Sequence, residues 1–540
     1  MKMKTKILIG CILLGCLATT SCNDFLQEDA KGQLNPENYY ASQDELDMSV
    51  YALYQKVMKT QGYTNMQLPQ WMGDDMTANP GSNKQAAAEF DAFVPADNNK
   101  GVNECWSQHY VLIKQANNLI ALAGKTPTTE EEINIAIGQA KFWRAYSYFT
   151  LVRVYGPLPL RLEAVLGTDK IDYTVSPSSV QDVYTQIVKD LQEAEAVLPT
   201  DYSKAPRKMF GANTYITQQA VKATLASVYM AMAGWPLNQT EYYAKAAEKA
   251  KEVIDGVEKG TYEYILEPDF KNVYSMSHNY TAETVVGINY VCDYGWDQDS
   301  QLTSSNLFES LGGWGDAWGE IRFWKNMPAG PRKDAIYNPK ILLENKAGGK
   351  LVDWWEKDEN GVNYIPENHP MFSVFSVGVG NTDYDYTQPA SLDMTNDSRH
   401  RIIRYSEVLL WYAEAQARAD GTPNELAYKC INRVRERAGL DPLPSSMNGQ
   451  AFADAVLMEH GWEVAGNWCA LVTRRADQMR MDLLQKTFEE RKKNEPIEVA
   501  PGVMVTESVP VPDKATWQGE KTIYAPYPSL DASLNPNLVR

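Results

Sequence analysis

The sequence predicts a mainly α-helical protein in which paired helices of tetratricopeptide type bracket a loop-rich middle. Helix-start signals recur at both ends of the chain, and apolar residues behind them fall at helical spacing. Between the two ends the texture changes to Gly, Asn, Asp, Tyr and Trp with short β-like runs. The expected scaffold covers residues 35–260 and 400–480, and the irregular part covers residues 262–396.

The start signals come in chain order. Ser42-x-x-Glu45, Thr128-x-x-Glu131, Ser178-x-x-Gln181 and Thr422-Pro423-x-Glu425 each read as a capping box. In such a box the hydroxyl accepts from an otherwise unpaired N–H and the Glu or Gln reaches back. In "EEINIAIGQAKFWRAYSYFTLVRVYG", Ile133, Ile137, Ala140, Trp143 and Phe149 keep helical spacing, and Gly156-Pro157 ends the run. Further helices are expected at Val180–Leu198, Gln218–Ala233 and Tyr242–Ile254. "YSEVLLWYAEAQARADG" followed by "TPNELAYKCINRVRERAG" reads as an antiparallel pair, with Pro423 at the first helical position of its second member. Alanines such as Ala413, Ala417 and Ala427 let the two backbones approach. No 34-residue consensus repeats cleanly.

In the middle segment, six of the fourteen Trp residues fall between Trp296 and Trp355. Aromatic residues on polar, irregular stretches are either anchors tucked into a core or platforms for a ligand. For any single Trp here the anchor is the commoner outcome.

The 540-residue chain carries a formal net charge of −18, which argues against nucleic acid or another polyanion as partner. Its N-terminus, "MKMKTKILIGCILLGCLATTSCNDFLQ", has three lysines before an apolar run from Ile7 to Leu17. That run is about half of what a membrane-spanning helix needs, so it reads as a signal peptide ending at a lipid-accepting Cys. Leu13-Leu14-Gly15-Cys16 fits the local pattern but truncates the apolar core. Thr19-Thr20-Ser21-Cys22 preserves it, which favours removal of residues 1–21 and lipidation of Cys22. Residues 22–540 then form one large domain. Cys105, Cys292, Cys430 and Cys469 are far apart and contain no C-x-x-C pair, against a zinc ribbon or a disulfide scaffold.

No phosphate loop, nucleophile elbow or H-E-x-x-H motif occurs. His109, His278, His369, His400 and His460 stand singly and read as structural or surface residues. Asp293, Asp297 and Asp299, and separately Asp383 and Asp385, are spaced closely enough to hold Ca²⁺, but neither group matches an EF-hand and a solvated turn is the simpler reading. No other cofactor is expected.

Several segments together resemble the SusD/RagB family of outer-membrane nutrient-binding lipoproteins. "SCNDFLQ" resembles that family's mature start and supports Cys22. Ala140 to Leu160, "AKFWRAYSYFTLVRVYGPLPL", resembles its helix with an Arg-Ala-x-x-Tyr-Phe core and a Tyr-Gly-x-x-Pro-Leu exit. Arg404 to Leu440 is similar to its most diagnostic block, and "YPSLDASLNPNLVR" to its closing segment. One block departs: where the family has Glu-Arg-Arg-x-Glu-Leu followed by Arg-x-x-Asp, this chain has Glu459-His460-Gly461-Trp462-Glu463 and later Arg474 and Asp477. These positions look like scaffold ion pairs. The resemblance implies a SusD-like fold with four helical hairpins, lipid attachment to the outer membrane, and pairing with a SusC-like TonB-dependent transporter. It further implies capture of oligosaccharides, or in some relatives peptides, without catalysis.

A sugar receptor needs flat aromatic faces beside side chains that satisfy directional hydrogen bonds. Two loops of the middle segment supply both, through Tyr294, Trp296 and Asp297 and through Trp314, Asp316, Trp318, Arg322 and Trp324. The early stretch "QWMGDDMTANPGSN" adds Trp71, Asp74 and Asp75. Competing readings are a glycoside hydrolase, whose two carboxylates leave no local motif, and a scaffold that binds only proteins.

Overall fold

The computed structural model describes residues 39–62, 68–166, 172–292, 299–393 and 396–539. Cys22, Asp293, Tyr294, Trp296 and Asp297 lie outside the described residues. The long helices are α1 (Gln43–Thr60), α2 (Gln85–Asp91), α3 (Lys100–Leu122), α4 (Glu130–Tyr155), α5 (Val180–Val197), α6 (Gln218–Ala233) and α7 (Tyr242–Glu258). After the loop-rich segment come α8 (Tyr405–Asp420), α9 (Glu425–Arg437), α10 (Gly449–Val464), α11 (Arg474–Arg480) and α12 (Leu484–Lys493). From α3 to α8 each of these helices packs on the next, and α8 also packs on α9 and α10. Because α7 touches α8, the loop-rich segment is an insertion into a continuous helical stack.

Helix starts follow the predicted chemistry with small shifts in register. Ser42 caps α1 by accepting from Glu45 N–H, and Glu45 Oε2 accepts from Ala41 N–H. At α4 and α5 the caps are Thr129 and Ser179, one residue later than predicted. Both sites offer adjacent hydroxyls, and the first of each pair is engaged elsewhere: Thr128 Oγ1 donates to Gln43, and the Ser178 backbone pairs with Leu158. At α9 the cap is Asn424, not Thr422, so Pro423 precedes the cap instead of opening the helix. Gly156 and Gly421 end α4 and α8 at φ values of 69° and 71°.

The insertion is closed at its base by β2 (Thr284–Ile288), which pairs antiparallel with β4 (His400–Arg404). Farther out, β1 (Met76–Ala78), from the loop before α2, pairs antiparallel with β3 (Ala317–Gly319). A large core runs through the helices, and a second core under the insertion contains Phe308, Trp318, Ile321, Trp354 and Ile365.

Buried ion pairs join insertion to stack. Arg404, at the β4–α8 junction, donates to Glu463 at 2.8 Å and to Glu283, just before β2, at 3.3 Å. Arg437 on α9 reaches both of these carboxylates. Arg332, inside the insertion, donates to Glu459 at 2.7 Å and Glu463 at 3.1 Å on α10. Burial alone would raise the Glu463 carboxyl, but Arg437, Arg404 and Arg332 override it and hold it at about 2. One turn of α10 away, His460 Nδ1 bonds Asp477 at 2.6 Å, and Asp477 also takes Arg480, which pairs with Glu414 at 2.6 Å. These are the scaffold ion pairs expected of the departing block. His460 supplies the positive charge, and Gly461 leaves room for Arg474, whose Cδ would lie 3.0 Å from a Cβ there.

Burial alone would lower the His460 pKa, yet Asp477 raises it to about 9. Its contribution to stability is therefore full below the unfolded value near 6.5 and is lost as pH rises through 9, on the order of 3 kcal/mol. We predict that the melting temperature of the protein falls between pH 7 and pH 10 by more than that of His460→Gln, measured by scanning calorimetry; parallel curves would refute the assignment.

Candidate functional site

The short β1–β3 ribbon brings together two loops from distant parts of the sequence. Its register sets Met76 against Gly319, Thr77 against Trp318 and Ala78 against Ala317. On either side of it Asn79 N–H donates to Asp316 O at 3.0 Å and Glu320 N–H to Asp75 O at 3.1 Å. The early loop and the Trp314–Trp318 loop are thus one surface.

Beside the ribbon lies a cleft of about 320 Å³, bounded by Asn83, Lys84, Gln85, Asn98, Asn99 and Asp316. Lys84 is buried and forms an ion pair with buried Asp316. Its ammonium also lies 5.8 Å from the centre of the Trp314 ring, which is half-buried at the loop tip. Asn83, Gln85 and Asn98 are exposed along the cleft, and Asn99 caps α3 by accepting from Val102 N–H at 3.1 Å. Glu89 and Lys100 also line the cleft; the carboxamides carry both donors and acceptors, so they suit a hydroxyl-bearing ligand contacted from several directions.

The other sequence candidates separate by burial. Trp71 is fully enclosed in the main core. Trp318 is 6% exposed, with Phe308 at 6.2 Å and His369 at 4.9 Å between ring centres. These two indoles hold the loops in place and present no open face. Asp74 is held bidentately by Arg474 at 2.7 and 3.0 Å. Asp75 is buried behind the ribbon, where burial and then neighbouring Asp74 raise its pKa to about 7. Burial and Glu507 raise Glu320, next along the ribbon, well above the carboxylate range. Arg322 and Trp324 are half-buried on the short helix Ile321–Asn326, away from the named cleft residues. Trp324 packs against Trp354 and Trp355 at 5.4 and 5.5 Å, with Lys333 Nζ 4.2 Å from its ring.

Sequence reasoning missed Asn83, Lys84, Gln85, Asn98 and Asn99. Their signal was present as two amide-rich runs, "NPGSNKQ" and "ADNNK", each leading into a helix. Nothing in the sequence showed that those runs face Asp316, 232 residues beyond Lys84.

Asp383 accepts from the backbone and hydroxyl of distant Ser277, and Asp385 is engaged in a local turn, accepting from Thr387. Among the described residues no group of three or more His, Cys, Asp or Glu is placed to hold a metal ion. Among those residues, too, no helix is long and apolar enough to cross a membrane.

The signature of the SusD family matches residues 364–540, and a signature described as starch-binding associating with the outer membrane matches residues 24–230. This chain belongs to the SusD/RagB family. SusD-like protein P2 of Formosa agariphila is 29% identical over 444 residues, covering 78% of this chain and 80% of that one. A SusD homologue from Bacteroides thetaiotaomicron superposes with a TM-score of 0.73 at 18% identity, covering 93% of this chain and 97% of that one. Surface glycan-binding protein A of Bacteroides uniformis superposes at 0.64 and 20% identity, covering 92% and 99%. The mainly α, SusD-like fold expected from sequence is the fold observed.

The burial contrast gives a direct expectation. Trp318→Ala removes an enclosed ring and should cost about 3–5 kcal/mol, whereas Trp314→Ala, at a half-open loop tip, should shift stability by under about 1 kcal/mol. Chemical denaturation of the two variants measures both; equal losses would contradict this division of roles.

Proposed function

We propose that this protein captures oligosaccharides at the cell surface, held to the outer membrane by lipid on Cys22, and passes them to a SusC-like TonB-dependent transporter. The observation that carries the reading is the cleft itself, lined by exposed carboxamides and by Lys84, whose ammonium lies 5.8 Å from the half-buried Trp314 ring. Trp314 stacks on the weakly apolar C–H face of a sugar, and Asn83, Gln85 and Asn98 hold its hydroxyls. Tyr294, Trp296 and Asp297 are further candidate ligand contacts on sequence grounds alone. Trp71, Trp318, Asp75 and Asp316 support it from behind. Family membership supports the carbohydrate class, as does the name of the glycan-binding relative from Bacteroides uniformis.

The carboxylates nearest the cleft favour binding over hydrolysis. A glycosidase needs an acid and a base facing the scissile bond. Here Asp316 is paired with Lys84, Asp74 with Arg474, and Glu89 accepts from Asn99 and from Ala96 N–H.

A soluble chain beginning at Asn23, run through native gels containing a panel of polysaccharides, should be retarded by one glycan class. Retardation should vanish in Trp314→Ala at unchanged melting temperature. Release of shorter sugars on incubation would favour the hydrolase, and retardation by none would overturn the glycan reading. Separately, Cys22→Ala in the full chain should move the protein from the membrane fraction to the soluble fraction; continued membrane retention would sink the lipid anchor.

A further inference from the structure

We propose that a second binding site, separate from the cleft beside Trp314, lies where α3, the chain leaving α4 and the C-terminal segment meet, and that it takes an uncharged aromatic compound of one or two fused rings. On α3, Trp106, Tyr110, Ile113 and Asn117 follow one another at intervals of four, three and four, which places them on a single face. The segment from Pro159 to Val165 and the segment from Asp531 to Leu538 arch over that face without closing on it. They leave a cavity of about 240 Å³.

The class of ligand follows from which polar atoms are already bonded. Tyr110 Oη donates to Pro159 O at 2.9 Å. Asn117 Nδ2 donates to Arg161 O and Glu163 O at 2.9 and 3.2 Å, and its Oδ1 accepts from Arg144 at 2.8 Å. Asn535 Nδ2 donates to Val175 O at 2.8 Å, and the Trp106 side chain hydrogen-bonds the Asp531 carboxylate. The inner wall therefore offers a guest ring faces and aliphatic groups, chiefly from Trp106, Tyr110, Ile113 and Leu538. A sugar, whose hydroxyls each need a partner, is poorly served there. Charge points the same way: Lys114 and Arg161 at the margin are offset by Glu163 and Asp531, so no net field selects an ion.

Size and rigidity complete the argument. An apolar cavity of about 150 Å³ accepts benzene, so this one accommodates a phenol or an indole. Trp106 is wedged among Tyr110, Tyr155 and Tyr527 at ring separations of 4.8, 5.1 and 5.7 Å, so its wall is formed before any ligand arrives. Among the described residues the entrance is open, with Val111 and Tyr173 exposed at 43% and 49%.

The test uses the mature chain with indole, phenol and methyl glucoside as probes in saturation-transfer NMR. Indole and phenol should give signal and methyl glucoside should give none. Ile113→Trp, which fills the cavity, and Val111→Arg, which blocks its exposed mouth, should each weaken indole binding at least about tenfold. Val111 is a surface residue, so its variant serves even where the Ile113 variant does not fold. Absence of indole signal up to about 5 mM, equal signal in the variants, or preference for methyl glucoside would each overturn the proposal. None of these readouts depends on glycan capture at the Trp314 cleft.

Discussion

The buried exchange of charge among Glu283, Arg332, Arg404, Arg437, Glu459 and Glu463 is what the rest of this molecule is built around. Each group taken singly would cost several kcal/mol to remove from water. Held together, each finds its opposite charge within hydrogen-bonding reach. Glu283 stands at the entry of the insertion, Arg332 within it, Arg404 at its exit, and Arg437, Glu459 and Glu463 on the helices behind. The pairing therefore fixes an irregular segment of more than 100 residues in one orientation on the stack, something its own short strands could not do.

The same logic operates at smaller scale at the cleft. Lys84 and Asp316 are both buried, and their pairing closes the early loop onto the Trp314 loop beyond the end of the three-residue ribbon. Tryptophans on these loops take two roles by depth: Trp71 and Trp318 fill cores, and Trp314 keeps part of its ring in solvent. A loop carrying a ligand platform has to be held from behind, because an unanchored aromatic tip would collapse onto the nearest apolar surface. The two cavities differ by the same accounting of polar atoms. Asn83, Gln85 and Asn98 are exposed along the Trp314 cleft, whereas Asn117 and Asn535, lining the cavity by Trp106, donate to the backbone.

Internal use of basic residues bears on the surface as well. Arg144, Arg332, Arg404, Arg437, Arg474, Arg480 and Arg491 are all buried against carboxylates. Another pair, Arg153 and Arg475, is buried against main-chain carbonyls. These cations cannot contribute to a surface patch, which strengthens the case, first made from net charge, against polyanionic partners.

Local chemistry in the sequence determined the helices, because 3.6-residue periodicity, capping hydroxyls and terminal glycines act within a few residues of one another. It also fixed the family, through blocks such as Ala140–Leu160 and Arg404–Leu440, and it marked Glu459, Glu463, Arg474 and Asp477 as scaffold ion pairs. The caps of α4, α5 and α9 fall one or two residues later than expected because a second capping side chain follows closely at each start, and at α4 and α5 the earlier residue is engaged elsewhere. Only the tertiary structure decided which tryptophans are anchors and that Asn83, Gln85 and Asn98 meet Asp316. Burial and pairing between positions more than 200 residues apart depend on how the insertion is seated, and no local spacing encodes that.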